Sequence, residues 1–395
     1  MSAVNIVYPA LNLVFAVAIM LATGGSAVVA RQMGEGDPVR ARQSFSLLTA
    51  CGLVIGVVFS VVSVSFTGGI VRMLGANDAI YRYCYDYAFY LGLFVPFAIL
   101  QTLFQYFFVT AGKPNFGLIL TVIGGLSNIL FDYVFIVPME MGIKGAAIAT
   151  GVGFVIPAVA GLLYFTVKRT GTLFFVKPVF HLQTIFKSCT NGSSEMVSNL
   201  SVAVTTFLFN MMMMKYLGED GVAAITIVLY AQFLFTAVFL GYTSGAAPLF
   251  SYHYGAKNIE NLKKLFRGSM IFILACSVLA YILSILLSGV VVGIFAVPGS
   301  NVFNLATQGM GLFAVGFLLM GLNIFASGMF TALSNGKVSA ILSFLRTFVF
   351  IIAAVLFLPN LWGVNGIWLS IPAAELLALA ISIWYMVRLK KVYEY

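Results

Sequence analysis

Residues 116–138 read FGLILTVIGGLSNILFDYVFIVP, an apolar run interrupted by one charged side chain, Asp132. At ~1.5 Å of rise per residue, such a run is long enough to cross the ~30 Å hydrocarbon core of a bilayer as a helix. A helix that is apolar on every face belongs in a large core or in a membrane. The next apolar run, 144–167, follows after a short break that begins beyond Pro138 and holds Gly142. A pair of spanning helices joined by a tight turn is the unit from which the rest of the chain is read.

Working outward, apolar stretches fall at 6–30, 45–70, 84–110, 116–138, 144–167, 194–215, 222–250, 268–295, 304–332, 338–359 and 363–387. That predicts eleven spans, the first retained in the membrane rather than removed as a leader. Composition agrees: of 395 residues, 61% are hydrophobic and 8% charged, with a mean hydropathy of +1.05. Soluble domains carry about 25% charged residues. So little charge cannot cover a water-facing surface, which excludes a soluble enzyme, a nucleic-acid module and a disordered chain.

The net charge of +9 is placed by topology. With the C-terminus inside and the spans alternating, 16 Lys and Arg fall inside, among them Arg40, Arg42, Lys168, Arg169, Lys263 and Lys264. Four fall outside, Arg72, Arg82, Lys144 and Lys215, and Arg346 lies within a span. This asymmetry follows the positive-inside rule and predicts a multi-pass protein of the inner (plasma) membrane with a cytoplasmic C-terminus. Cys51, Cys84, Cys189 and Cys276 have no pairing or metal-ligand spacing and read as small core residues.

The chain repeats itself at an offset of 221: Gly34 with Gly255, Thr110-Ala111 with Thr331-Ala332, Pro138 with Pro359, Gly142 with Gly363, and Gly145 with Gly366. The expected organisation is an N-terminal lobe over 1–167, a cytoplasmic linker over 168–190 and a C-terminal lobe over 191–395. The second half has six spans. The counterpart of its first, 194–215, would precede Met1, so the reading expects eleven helices of a twelve-helix plan with the first absent. An internal start, a truncation or genuine loss would each produce that. Six helices per half make the halves parallel repeats.

At this point several stretches resemble the multidrug and toxic compound extrusion (MATE) transporters, in the MepA-type branch. They are GGSAVVARQMGEGDPVRAR (24–42), AGKPN (111–115), SNILFDYVFI (127–136), GIKGAAIAT (142–150), NGSSEMVSNLS (191–201) and SYHYGAKN (251–258). The resemblance implies an all-α integral membrane protein of the MOP superfamily: two lobes, a central cleft, and exchange of cationic drugs against Na+ or H+. It also implies that Asp132, Asn128 and Thr150 help bind the coupling cation.

Read from the residues alone, three acids lie within spans: Asp132, Glu195 and Glu375. Charge at bilayer depth costs about 2.5–3.5 kcal/mol on insertion scales, so each is a functional candidate. Asp132 and Asn128, four residues apart, share a helix face, and Thr150 on the next span can reach the same depth. Adding 221 to these positions gives Val349, Ile371 and Ala353, all apolar, so the fold does not need the polar set. The alternative is that Asp132 and Asn128 bridge helices. Glu195 reads either as a cation or drug contact or as a helix N-terminal acid beside a Ser193 or Ser194 cap. Glu375 reads either as a partner of Arg346 or as a cation ligand. Asn210 and Gln232, on adjacent spans, and Met211, in the run Met211–Met214, are weaker candidates for the substrate cleft. Gln101, Gln105, Asn199 and Asn323 read as interhelical hydrogen bonders.

Other chemistry lacks its motifs. There is no GxxxxGK[ST] for a nucleoside triphosphate, no GxSxG, and with His181 and His253 as the only histidines no HExxH. The expectation is a non-enzyme without a cofactor, with H+ or Na+ as coupling ion, small organic cations and membrane lipid as partners, no nucleic acid, and a monomeric state. The rival readings are a lipid-linked oligosaccharide flippase of the same superfamily, which would want several deep Arg or Lys rather than Arg346 alone, and a truncated, non-transporting remnant.

Overall fold

The computed structural model describes residues 2–395, and its regular elements there are helices. The chain forms two units, divided between Gly192 and Ser193. In the first, α1 (Ser2–Gly34), α2 (Pro38–Ser65), the short α3 (Thr67–Met73), α4 (Asp78–Leu93), α5 (Val95–Thr110), α6 (Pro114–Ile136) and α7 (Gly142–Val167) follow in order. The second unit takes most of α8 (Leu182–Gly255), then α9 (Ile259–Leu286), α10 (Ser288–Gly293), α11 (Asn301–Phe313), α12 (Val315–Ala332), α13 (Gly336–Phe344), a π-helical segment (Leu345–Phe350), α14 (Ile351–Trp362), α15 (Val364–Trp368) and α16 (Ser370–Tyr393).

Among the described residues, nine helices are long and apolar enough to span a membrane, and the pair α4–α5, bent by 54°, makes a tenth. The 74 residues of α8 would reach ~110 Å if straight. They do not run straight: Gly218, at φ 66° and ψ −151°, breaks the helix. Counting its two arms gives eleven crossings among the described residues, five before Gly192 and six after it. The bend at Phe94 is a feature the continuous apolar run 84–110 did not disclose.

The repeat extends to the backbone. Asp37 caps α2 by accepting from the Arg40 amide, and Asn258, 221 residues on, caps α9 by accepting from the Asn261 amide. Gly142 and Gly363 both open a turn at positive φ, 56° and 55°. The break after α2 at Phe66 recurs after α9 at Leu287. Identical turn chemistry at one offset is what a duplicated bundle requires.

Packing in the first unit sets α6 along α7 and gathers α1, α2 and α7 around α5. Its core is aromatic: the Phe45 ring lies 4.9 Å from Phe107, 4.8 Å from Phe165 and 4.9 Å from Phe175. Phe175 belongs to the expected linker, which is only partly a tether. Leu173 is buried, the Phe175 amide donates to the Phe165 carbonyl, the Val176 amide donates to Ser46 Oγ, and Arg42 covers the Phe174 ring. From Leu182 the same stretch is already helix α8. In the second unit α12 is the central helix, packed on α9, α13 and α16.

Candidate functional site

In the first unit, α6 and α7 bring Asp132, Asn128 and Thr150 together. Asn128 Nδ2 lies 3.5 Å from Thr150 Oγ1, the outer edge of hydrogen-bonding distance. The Thr150 hydroxyl hydrogen goes to the Ala146 carbonyl at 2.9 Å. Its lone pairs therefore face Asn128, and a further neighbour, Tyr87 of α4, brings its hydroxyl close to it. Tyr87 is buried, 7% exposed, and close enough to Asp132 to feel its charge. Asp132 Oδ1 is buried and has no hydrogen-bond partner. A buried polar atom without a partner costs about 1–3 kcal/mol. Lys144, a cation on α7, is 3.6 Å from Asp86 instead. The result is a carboxylate set among an amide and two hydroxyls, hard oxygen donors that suit a proton or a small monovalent cation. No group of three or more His, Cys, Asp or Glu is placed to hold a metal among the described residues.

The second unit holds a different cluster. Glu375 of α16 is 1% exposed. Arg346 Nε donates to its Oε1 at 2.9 Å and its Oε2 at 3.0 Å. Asn323 Nδ2 of α12 donates to Oε2 at 2.7 Å, and Ser382 Oγ donates to Asn323 Oδ1 at 2.9 Å. Both carboxylate oxygens of Glu375 and the Asn323 amide oxygen thus find partners, which offsets part of the cost of an ion pair at low dielectric. Glu195 lies on α8 near enough for the Arg346 charge to act on it. It is not the first-turn acid of a capped helix: α8 begins at Leu182, three turns earlier. Ser194 bonds Thr331 Oγ1 across 3.2 Å rather than capping. Beside this cluster runs a file of buried hydroxyls, Thr331–Ser339 at 2.7 Å, Ser339–Ser327 at 3.0 Å and Ser327–Ser343 at 2.8 Å.

The remaining candidates divide. Met212 and Met213 are core residues, whereas Met211 and Met214 are exposed. Asn210 Oδ1 is buried without a partner. Gln232 is half-buried, with no hydrogen bond linking it to Glu195 or Asn210. Tyr87 and Ser382 are the residues the sequence reading missed. Tyr87 is hidden in the aromatic run YRYCYDYAFY (81–90), and only the pairing of α4 with α7 singles it out.

Comparison with known proteins agrees with this architecture. The family model MatE matches residues 1–134 and 195–356. The multidrug export protein MepA of Staphylococcus saprophyticus subsp. saprophyticus is 26% identical, covering 98% of this chain and 86% of its own. That of Staphylococcus haemolyticus is 25% identical, over 98% and 85%. Among solved structures, a MATE protein in complex with MaL6 superposes with a TM-score of 0.93 at 21% identity, covering all of this chain and 89% of the other. A multidrug resistance MATE family transporter of the MOP superfamily in an outward-facing conformation gives 0.91 at 22% identity, covering all of this chain and 88% of the other. With a model match over most of its length and this bundle of spanning helices, the chain belongs to the MatE family of membrane transport proteins.

Proposed function

We propose that the protein is a multidrug exporter that exchanges amphipathic organic cations for H+ or Na+ by alternating access of its two lobes. The coupling ion occupies Asp132 with Asn128 and Thr150, and Tyr87 holds Thr150 in place. The observation that carries this reading is the buried Oδ1 of Asp132, which has no partner, one helical turn from the Asn128 amide that meets Thr150. A coupling ion there stabilises the lobe arrangement that encloses it, and release of the ion favours the arrangement that takes up drug. Glu195 is the contact for the organic cation: it is a deep acid of the second unit that, unlike Glu375, has no ion-pair partner among the described residues. The names of the MepA relatives support export of drugs as the activity.

The test is ethidium efflux from energised inverted vesicles, with the pH and Na+ gradients collapsed separately. Loss of transport with one of the two identifies the coupling ion. Transport by Asp132→Asn at the wild-type rate and with the same gradient dependence removes the site.

A further inference from the structure

We infer that Arg346 is a resident competitor for the cargo cation at Glu195, held away from that carboxylate by Glu375. The inference rests on the reading above that organic cations are cargo and Glu195 their contact.

Three carboxyl and guanidinium groups share one region of the second unit, and the count is uneven: two acids, one base. Arg346 satisfies Glu375 with its Nε alone, at 2.9 and 3.0 Å. No hydrogen bond engages its terminal nitrogens among the described residues, and its side chain keeps 13% exposure while Glu375 keeps 1%. Glu195 follows Ser194, whose hydroxyl meets the Thr331–Ser339–Ser327–Ser343 file that ends three residues before Arg346, yet among the described residues Arg346 forms its ion pair with Glu375 and not with Glu195. With Arg346 on Glu375, Glu195 is the open anion. With Arg346 on Glu195, that anion is neutralised and covered, and a cation bound there is expelled.

Two features equip the cluster for this exchange. Arg346 stands in the π-helical segment Leu345–Phe350, between α13 and α14. A π turn holds one residue more than an α turn, so closing it to α rotates the attached side chains by about 100°. Glu375 also keeps a donor when Arg346 leaves, because Asn323 Nδ2 remains on Oε2 at 2.7 Å and is itself oriented by Ser382. The first lobe has nothing equivalent: the positions 221 residues earlier are Gly125 for Arg346, Phe154 for Glu375 and Gly161 for Ser382. The cluster is an addition to the duplicated scaffold rather than part of it.

The experiment measures ethidium binding to the purified full-length protein by fluorescence polarisation in four forms: wild type, Glu375→Gln, Arg346→Met with Glu375→Gln, and Glu195→Gln. Neutralising Glu375 leaves Glu195 as the partner for Arg346, so Glu375→Gln weakens ethidium binding about tenfold, a residue that never touches the dye acting through one that competes with it. Removing the guanidinium as well restores binding to within about twofold of wild type. Glu195→Gln loses binding. A merely structural role for Glu375 predicts no recovery in the double variant. Wild-type affinity in Glu375→Gln, or a loss that the second substitution does not repair, overturns the competitor. Absence of ethidium binding and efflux in the wild type overturns the exporter reading, and the competitor with it.

Discussion

Asn128 on α6 reaches Thr150 on α7 across 3.5 Å, and Asp132 stands one turn further along α6 with a buried oxygen left over. The relationship is between neighbouring helices of one unit, so it survives whatever the rest of the molecule does. It predicts a graded series. Asp132→Asn abolishes ion-coupled efflux while membrane insertion and purified yield stay unchanged. Thr150→Val keeps the shape and removes one oxygen, which costs about 1 kcal/mol, or roughly fivefold in coupling-ion affinity. The ion concentration for half-maximal efflux in vesicles reads both.

Tyr87→Phe separates support from ligation. Its hydroxyl reaches Thr150, and the ring is buried. Losing the hydroxyl loosens Thr150 without removing a charge. The expected effect is a shift of about twofold to fivefold in half-maximal ion concentration, with the maximal rate kept. A complete loss of efflux places Tyr87 in contact with the ion itself.

The hydroxyl file predicts tolerance. Ser327 touches both Ser339 and Ser343, so removing it leaves two hydroxyls that can turn to other acceptors. Hydrogen bonds between membrane helices are worth ~0.6 kcal/mol on average. Ser327→Ala lowers unfolding stability by under ~1 kcal/mol, whereas Ser339→Leu, which installs the side chain found at Leu118 in the first half, overpacks a residue of 0% exposure and costs ~1–3 kcal/mol. Denaturation in detergent micelles compares the two.

Phe175 ties the expected linker to the first unit by stacking on Phe45 at 4.9 Å. Phe175→Ala removes that half-buried ring, at a cost below the ~3–5 kcal/mol of a fully buried phenylalanine, from the stretch it anchors. Trypsin then cuts faster at Lys168 and Arg169. Equal cutting rates in the variant and the wild type show that the backbone bonds of Phe175 and Val176 hold the segment unaided.

Helix number and pairing were legible in the sequence because lipid imposes a length and an apolar composition on every crossing, and the offset of 221 checked the count. The Arg346–Glu375 pair was legible too, since two deep opposite charges on consecutive spans seek each other. What stayed hidden depends on phase rather than composition. Glu195 looked like a helix-opening residue because the polar stretch before it resembles a loop, yet LQTIFKSCTNG (182–192) is helical. The π-helical turn at Leu345–Phe350 leaves no mark in residue type. Tyr87 became a site residue only when α4 was seen to pack on α7.

Gly363→Ala is a test of the duplicated turn. Its φ of 55° with ψ −134° lies where a Cβ is strongly disfavoured, and strain of that kind costs about 1–3 kcal/mol. The variant unfolds at lower temperature, and Gly142→Ala, at φ 56°, falls by a similar amount. A neutral result at both positions shows that the turns relax into another geometry.

The break at Gly218 bears on biogenesis. Because one residue breaks a 74-residue helix, its two arms are suited to enter lipid one after the other as a hairpin, with Gly218 at the turn. A side chain that forced the junction straight would strand one arm on the wrong side and invert every crossing synthesised after it.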